Sequence, residues 1–181
     1  MRIPGKIRFA FAATFALAPL IAGAAGSGTG VDEIDFYHRV NDRVAVGGQP
    51  TPAQVVALAQ AGFRAIIDLR EESEAGAKPE AEAAKDAGVR YIPLPVSKTS
   101  PTDEQVEQFL RVTDDADIYP VFIHCVTANR AATLWMIRRV LRDGRSLEEA
   151  EKEAAEVGLT SEALRKSARE YIQSHGRNAG S

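Results

Sequence analysis

Short apolar runs alternate with stretches of helical periodicity, and this alternation constrains the fold more than any other feature of the chain. Residues 35–40 and 43–46 read as short strands joined by a turn at Asn41-Asp42. Residues 64–69, 89–94 and 120–124 read as further strands, the last of them apolar up to His124. Helical patterns begin at Thr51-Pro52, at Pro79, at Thr102 and near Ala131, where the run continues to Arg142. Thr102 and Gln105 have the spacing of a capping box, and Ser146 and Ser161 read as caps of two more helices. The pattern predicts an α/β fold, a three-layer α-β-α arrangement around a mostly parallel sheet of four to five strands. One domain is expected over 31–173, followed by a flexible polar tail over 174–181.

The beginning of the chain has a different character. Residues 1–30 contain no acidic side chain, and Arg2, Lys6 and Arg8 precede an apolar run from Phe9 to Ile21. Ala22, Gly23, Ala24 and Ala25 follow it. This order predicts a secretory signal over 1–25 that is cleaved, so the mature protein is expected to be secreted or periplasmic. The apolar run falls short of the roughly 20 residues a membrane crossing needs, and Pro19 interrupts it. No membrane contact is expected once it is removed. The formal net charge of −3 gives no basic excess, so no nucleic-acid partner is expected. A single cysteine excludes an internal disulfide and a multi-thiolate zinc site. A lone thiol is a liability in an oxidising compartment, which turns attention to its use.

That cysteine, Cys125, ends the apolar strand and precedes a turn and a helix. Open α/β folds place their ligands at this carboxyl end of the sheet. The N–H groups of the turn, from Val126 through Thr127, Ala128 and Asn129 to Arg130, and the helix N-terminus form a positive concavity suited to an oxyanion. The same field favours thiolate over thiol at Cys125. Arg130 can return across the turn and hold two anion oxygens with its planar fork. A buried inert thiol is the competing reading, since free cysteines are commonly buried. An adjacent histidine and an arginine at this spacing argue for the anion loop.

His124-Cys125 and Arg130 on a strand–loop–helix resemble the signature of the cysteine-dependent tyrosine and dual-specificity phosphatases. A closer resemblance is to the small bacterial beta-lactamase-hydrolase-like phosphatases. It is carried by Gly48-Gln49-Pro50, by Gly62 followed by Ile66-Ile67-Asp68-Leu69-Arg70, and by His124-Cys125 with Asn129-Arg130 and Leu134-Trp135, over roughly residues 36–142. The resemblance implies a dual-specificity-phosphatase-like fold and hydrolysis of phosphomonoesters. Cys125 would attack phosphorus to form a cysteinyl-phosphate, and Arg130 would stabilise the transferring group. His124 would lie below the loop and bond to its backbone. The implied partner is a phosphorylated substrate of unspecified class, and the chemistry calls for no metal or cofactor.

The chain departs from the family pattern in three ways. Four residues separate Cys125 from Arg130, where tyrosine phosphatases have five. The shorter loop also occurs in rhodanese-like sulfurtransferases, so a persulfide on Cys125 stays open as an alternative, as does a catalytically weak or inactive anion-binding module. Ala128 stands where such loops have glycine, which reaches positive φ at no steric cost. The hydroxyl residue often found after the arginine is Ala131 here, leaving Thr127 or Thr133 to supply one. The resemblance places a general acid in the loop after residues 89–94; the first carboxylates there are Asp103 and Glu104, and Asp103 is the candidate. Arg70, Glu71, Glu72 and Glu74 read as a solvated charged loop, and Trp135 as core.

Overall fold

The protein is described by a computed structural model covering residues 30–176; the expected signal over 1–25 and residues 177–181 lie outside the described residues. The strands are β1 (His38–Arg39), β2 (Val44–Gly47), β3 (Ala65–Asp68), β4 (Arg90–Pro93) and β5 (Val121–His124). The helices are α1 (Pro52–Gln60), α2 (Ala77–Asp86), α3 (Asp103–Asp114), α4 (Asn129–Leu141), α5 (Leu147–Val157) and α6 (Glu162–His175). The sheet order is β1-β2-β5-β3-β4, with β1 antiparallel to β2 and the other pairs parallel. The last strand in sequence thus lies at the centre.

Strand alternation sorts the core into two layers. Ala45, Ile66 and Phe122 face α1 and α2, packing against Val55, Leu58 and Ala84. Val44, Val46, Ile67, Val121 and Ile123 face the opposite side, where Phe109, Leu134, Trp135 and Ile137 belong to the larger cluster. The arrangement is the three-layer α-β-α fold that the sequence predicts. Trp135 is buried, and its indole N–H donates to Glu153 Oε1 at 2.7 Å.

Local chemistry sets the element ends. Thr51 with Gln54, Thr102 with Gln105 and Ser146 with Glu149 form capping boxes, and Ser161 caps α6. The first strand is shorter than residues 35–40 because Phe36 adopts φ 58, a left-handed conformation that cannot continue a strand. Pro79 does not open α2, which already begins at Ala77. Helix α6 runs past the expected boundary at 173, with Ser174 Oγ donating to Tyr171 O at 2.9 Å and the His175 ring stacked on Tyr171.

Candidate active site

Cys125 sits at the carboxyl end of β5, flanked in the sheet by β2 on one side and β3 on the other. Its side chain faces a cavity of about 320 Å3 lined by Glu74, Lys98, Cys125, Val126, Thr127, Asn129, Arg130 and Leu164. The residue itself is 1% exposed, so the sulfur lies at the cavity floor. Val126 and Thr127 form the exposed crest of the turn. Ala128 closes the turn with φ 63, and α4 begins at Asn129, two residues before Ala131. The alanine takes the left-handed conformation that the family's glycine takes without cost. No side chain caps α4, so the amides of its first turn are left for another acceptor.

Neighbouring segments hold the turn in place. Gln49 N donates to Val126 O at 3.2 Å, and Gly48 forms a bridge with Thr127. A Cβ on Gly48 would stand 2.8 Å from Asp35 O and 2.9 Å from Val126 O, so the backbone here approaches too closely for any other residue. On the other side, Asn129 Oδ1 accepts from the amides of Thr160 and Ser161, both at 2.8 Å, tying the start of α4 to the start of α6.

Arg130 does not point to solvent. It is 4% exposed; Nη1 donates to Leu69 O at 3.0 Å and Val96 O at 3.1 Å, and Glu74 grips both terminal nitrogens at 2.7 and 2.9 Å. Burial pulls the Arg130 pKa down, but the bonds to Glu74 and the charge interactions with Cys125 and Glu74 outweigh it and hold the value above normal. Burial likewise pulls Glu74 up, and its bonds to Arg130 and to the Glu71 backbone, with the charge of Lys98, bring it net below the usual carboxylate range. Glu74 is therefore an anion that orients Arg130. Lys98 Nζ stands 3.5 Å from its other side.

Other candidate residues lie elsewhere. His124 is fully buried beneath the turn, with Nδ1 3.2 Å from Cys125 O. Thr133 is also fully buried, and its hydroxyl donates to Asn129 O at 2.7 Å, one helical turn back, rather than to the cavity. That leaves Thr127 as the hydroxyl on the cavity wall. Asp103 is exposed in the first turn of α3, is not part of the lining, and its charge acts on Tyr171 of α6. An acid at a capped helix start is favoured by the helix dipole whatever the chemistry nearby.

The charged loop after β3 is also not what its composition predicts. Arg70 and Asp68 are each 2% exposed, paired through Arg70 Nη2 and Asp68 Oδ2 at 2.7 Å, and Arg70 Nη2 also meets Glu80 Oε2 at 2.5 Å. Glu74, which the sequence assigns to a solvated loop, lines the cavity together with Lys98. The signal for Glu74 was an acid-rich loop at a strand's carboxyl end; that its strand lies beside β5 is tertiary information. Asp68, Glu80 and His124 place ligand atoms within 4.8 Å of one another, the one candidate metal cluster among the described residues. The cation those carboxylates already hold is the Arg70 guanidinium.

The assembled site offers a sulfur, a guanidinium held beside it and uncapped helix amides, a set that can bind a tetrahedral oxyanion and accept a transferred group. Comparison with known proteins points the same way. The family model described as DSP-PTPase phosphatase fused to NAD+ kinase matches residues 29–173. The beta-lactamase hydrolase-like protein of Agrobacterium fabrum is 36% identical over 111 residues, covering 59% of this chain and 25% of that protein. The chain thus spans about a quarter of the length of the curated relatives it matches. A putative phosphatase from Shewanella putrefaciens superposes with a TM-score of 0.66 at 22% identity, covering 80% of this chain and 91% of that one. A putative phosphatase from Neisseria meningitidis gives a TM-score of 0.61 at 27% identity, covering 73% and 95%.

Proposed function

Because the chain belongs to the family described as DSP-PTPase phosphatase fused to NAD+ kinase, we propose that it is a phosphoric monoester hydrolase of the dual-specificity type with Cys125 as its nucleophile. In the first step the Cys125 thiolate attacks phosphorus, the bond to the leaving oxygen breaks, and that oxygen departs with the bonding pair. In the second, water attacks phosphorus, the S–P bond breaks, and phosphate leaves as the thiolate re-forms. Arg130 and the amides from Val126 to Arg130 hold the three non-bridging oxygens through both steps. One observation carries the reading: Arg130, fixed from behind by Glu74, lines the same cavity as Cys125.

The substrate reading follows from the cavity wall. The carboxyl group there is Glu74, which is engaged as an anion, and the loop over 95–101 contributes Lys98. Such a site suits phosphate esters whose leaving oxygen departs without a proton, aryl phosphates first among them. Residues 1–25 support export to the periplasm or beyond.

The test uses the purified protein with an aryl phosphate and, separately, with thiosulfate and cyanide. Phosphate release is expected, with none in Cys125→Ser and a fall of about 100-fold or more in Arg130→Lys, which cannot present a planar fork. Thiocyanate formation in place of phosphate release would overturn the proposal in favour of sulfur transfer.

A further inference from the structure

The loop between β4 and α3 is held at fixed points on either side of Lys98. Val96 N donates to Leu69 O at 3.1 Å, and Val96 O accepts from Arg130 Nη1 at the same distance. Gln105 Nε2 donates to Pro95 O at 3.0 Å, and beyond Lys98 the hydroxyls of Ser100 and Ser167 lie 2.9 Å apart. The backbone of Lys98 is therefore fixed beside the cavity, while its side chain is 59% exposed.

Lys98 Nζ stands 3.5 Å from Glu74 Oε2, the same oxygen that accepts from Arg130 Nη2 at 2.9 Å. One carboxylate thus faces two cations. Arg130 is buried and fully engaged, so Lys98 is the cation in surplus. An exposed pair of this length contributes little, and lysine's flexible stem lets the ammonium turn to a new partner at small cost.

In-line displacement fixes where such a partner would stand. The sulfur is at the cavity floor, so the oxygen opposite it on phosphorus points to the mouth. Of the lining residues, Lys98, Val126 and Thr127 are exposed, and Lys98 alone among these three is charged. It also stands on the loop after β4 where the family resemblance places a general acid, and residues 95–101 carry no carboxylate.

We propose that Lys98 is a catalytic residue: its ammonium donates a hydrogen bond to the leaving oxygen and stabilises the negative charge that collects there as the bond to phosphorus breaks. The oxygen leaves with the bonding pair and takes its proton from water afterwards, so no proton passes from Lys98. The inference rests on the reading of Cys125 as nucleophile.

The experiment compares kcat/KM for para-nitrophenyl phosphate and phenyl phosphate, whose leaving oxygens differ in basicity, in the purified protein and in Lys98→Gln. Stabilising the leaving oxygen matters most when that oxygen is basic. Lys98→Gln is therefore expected to lose about 10- to 100-fold on phenyl phosphate, less than a fully desolvated donor would, and about threefold or less on para-nitrophenyl phosphate. Lys98→Arg, which keeps the charge, should lose less on phenyl phosphate. An equal loss on both substrates would mean that Lys98 only holds Glu74 and Arg130 in place, and overturns the inference; no loss on either overturns it as well. Turnover absent from the unaltered protein, or surviving in Cys125→Ser, would instead sink the proposed nucleophile, so the two failures are distinguishable.

Discussion

Glu74 meets Arg130 at two points, one carboxylate oxygen to each terminal guanidinium nitrogen, at 2.7 and 2.9 Å. A side chain 56 residues earlier in the chain thus aims the arginine that shares a cavity with Cys125.

Glu74→Gln is expected to lose about 1.5–3 kcal/mol of stability at neutral pH, the range for hydrogen bonds to charged groups, and to lower kcat/KM for an aryl phosphate. The pH dependence follows from sign. Glu74 and Asp68 both have folded pKa values below the usual range, so their contribution is present above about pH 4 and lost as pH falls through the lowered values. Denaturant midpoints measured from pH 7 to pH 3 should fall in the acid range, and less steeply in Glu74→Gln. Parallel curves would contradict the assignment.

Ala128→Gly is expected to change little. Relief of left-handed strain contributes about 1–2 kcal/mol. Glycine's extra unfolded-state freedom removes about 0.5–1 kcal/mol. Loss of a buried methyl removes about 0.8 kcal/mol more. The terms cancel to within about 1 kcal/mol, and aryl phosphate turnover should stay near wild type. A tenfold change in turnover would mean that the alanine itself shapes the anion site.

Gly48→Ala should be harmful at a distance. Its Cβ would press on the main-chain oxygens of Asp35 and Val126, neither of which can swing away like a flexible side chain. Overpacking of this kind costs about 1–3 kcal/mol. Because Val126 belongs to the turn proposed to hold the phosphoryl oxygens, activity should fall at temperatures where circular dichroism still reports a folded protein. Full activity with reduced stability would show that the turn is insulated from Gly48.

Asp103→Asn tests the resemblance-based acid. From its exposed place at the start of α3, outside the cavity lining, the carboxylate should contribute almost nothing to turnover of an aryl phosphate. A general acid is worth about 10²–10⁴-fold, so a loss of that size would restore Asp103 to the mechanism.

What could be read from the sequence was what depends on near neighbours. The five strands, the caps at Thr102, Ser146 and Ser161, and the cysteine at a strand end all follow from periodicity and short-range chemistry. The demand for positive φ at Ala128 was visible too, because it belongs to the turn itself. Glu74 was not, since its role depends on β3 lying beside β5, and no local pattern encodes which strands become neighbours. Asp103 shows the opposite case: an acid at a helix start satisfies a local rule that resembles a catalytic one, and only the fold places it outside the cavity lining. Arg70 looked like a solvent-facing charge because it is polar alone; it is buried against Asp68 and Glu80, which neutralise it.

The placement of β5 has one more consequence. Val121–His124 is paired along both edges, so its amides can exchange only when the middle of the sheet comes apart. The cysteine that follows it is therefore carried by the best-anchored strand of the sheet. Local opening elsewhere leaves the bonds of this strand in place, so the support beneath the thiol is lost only when the sheet itself separates.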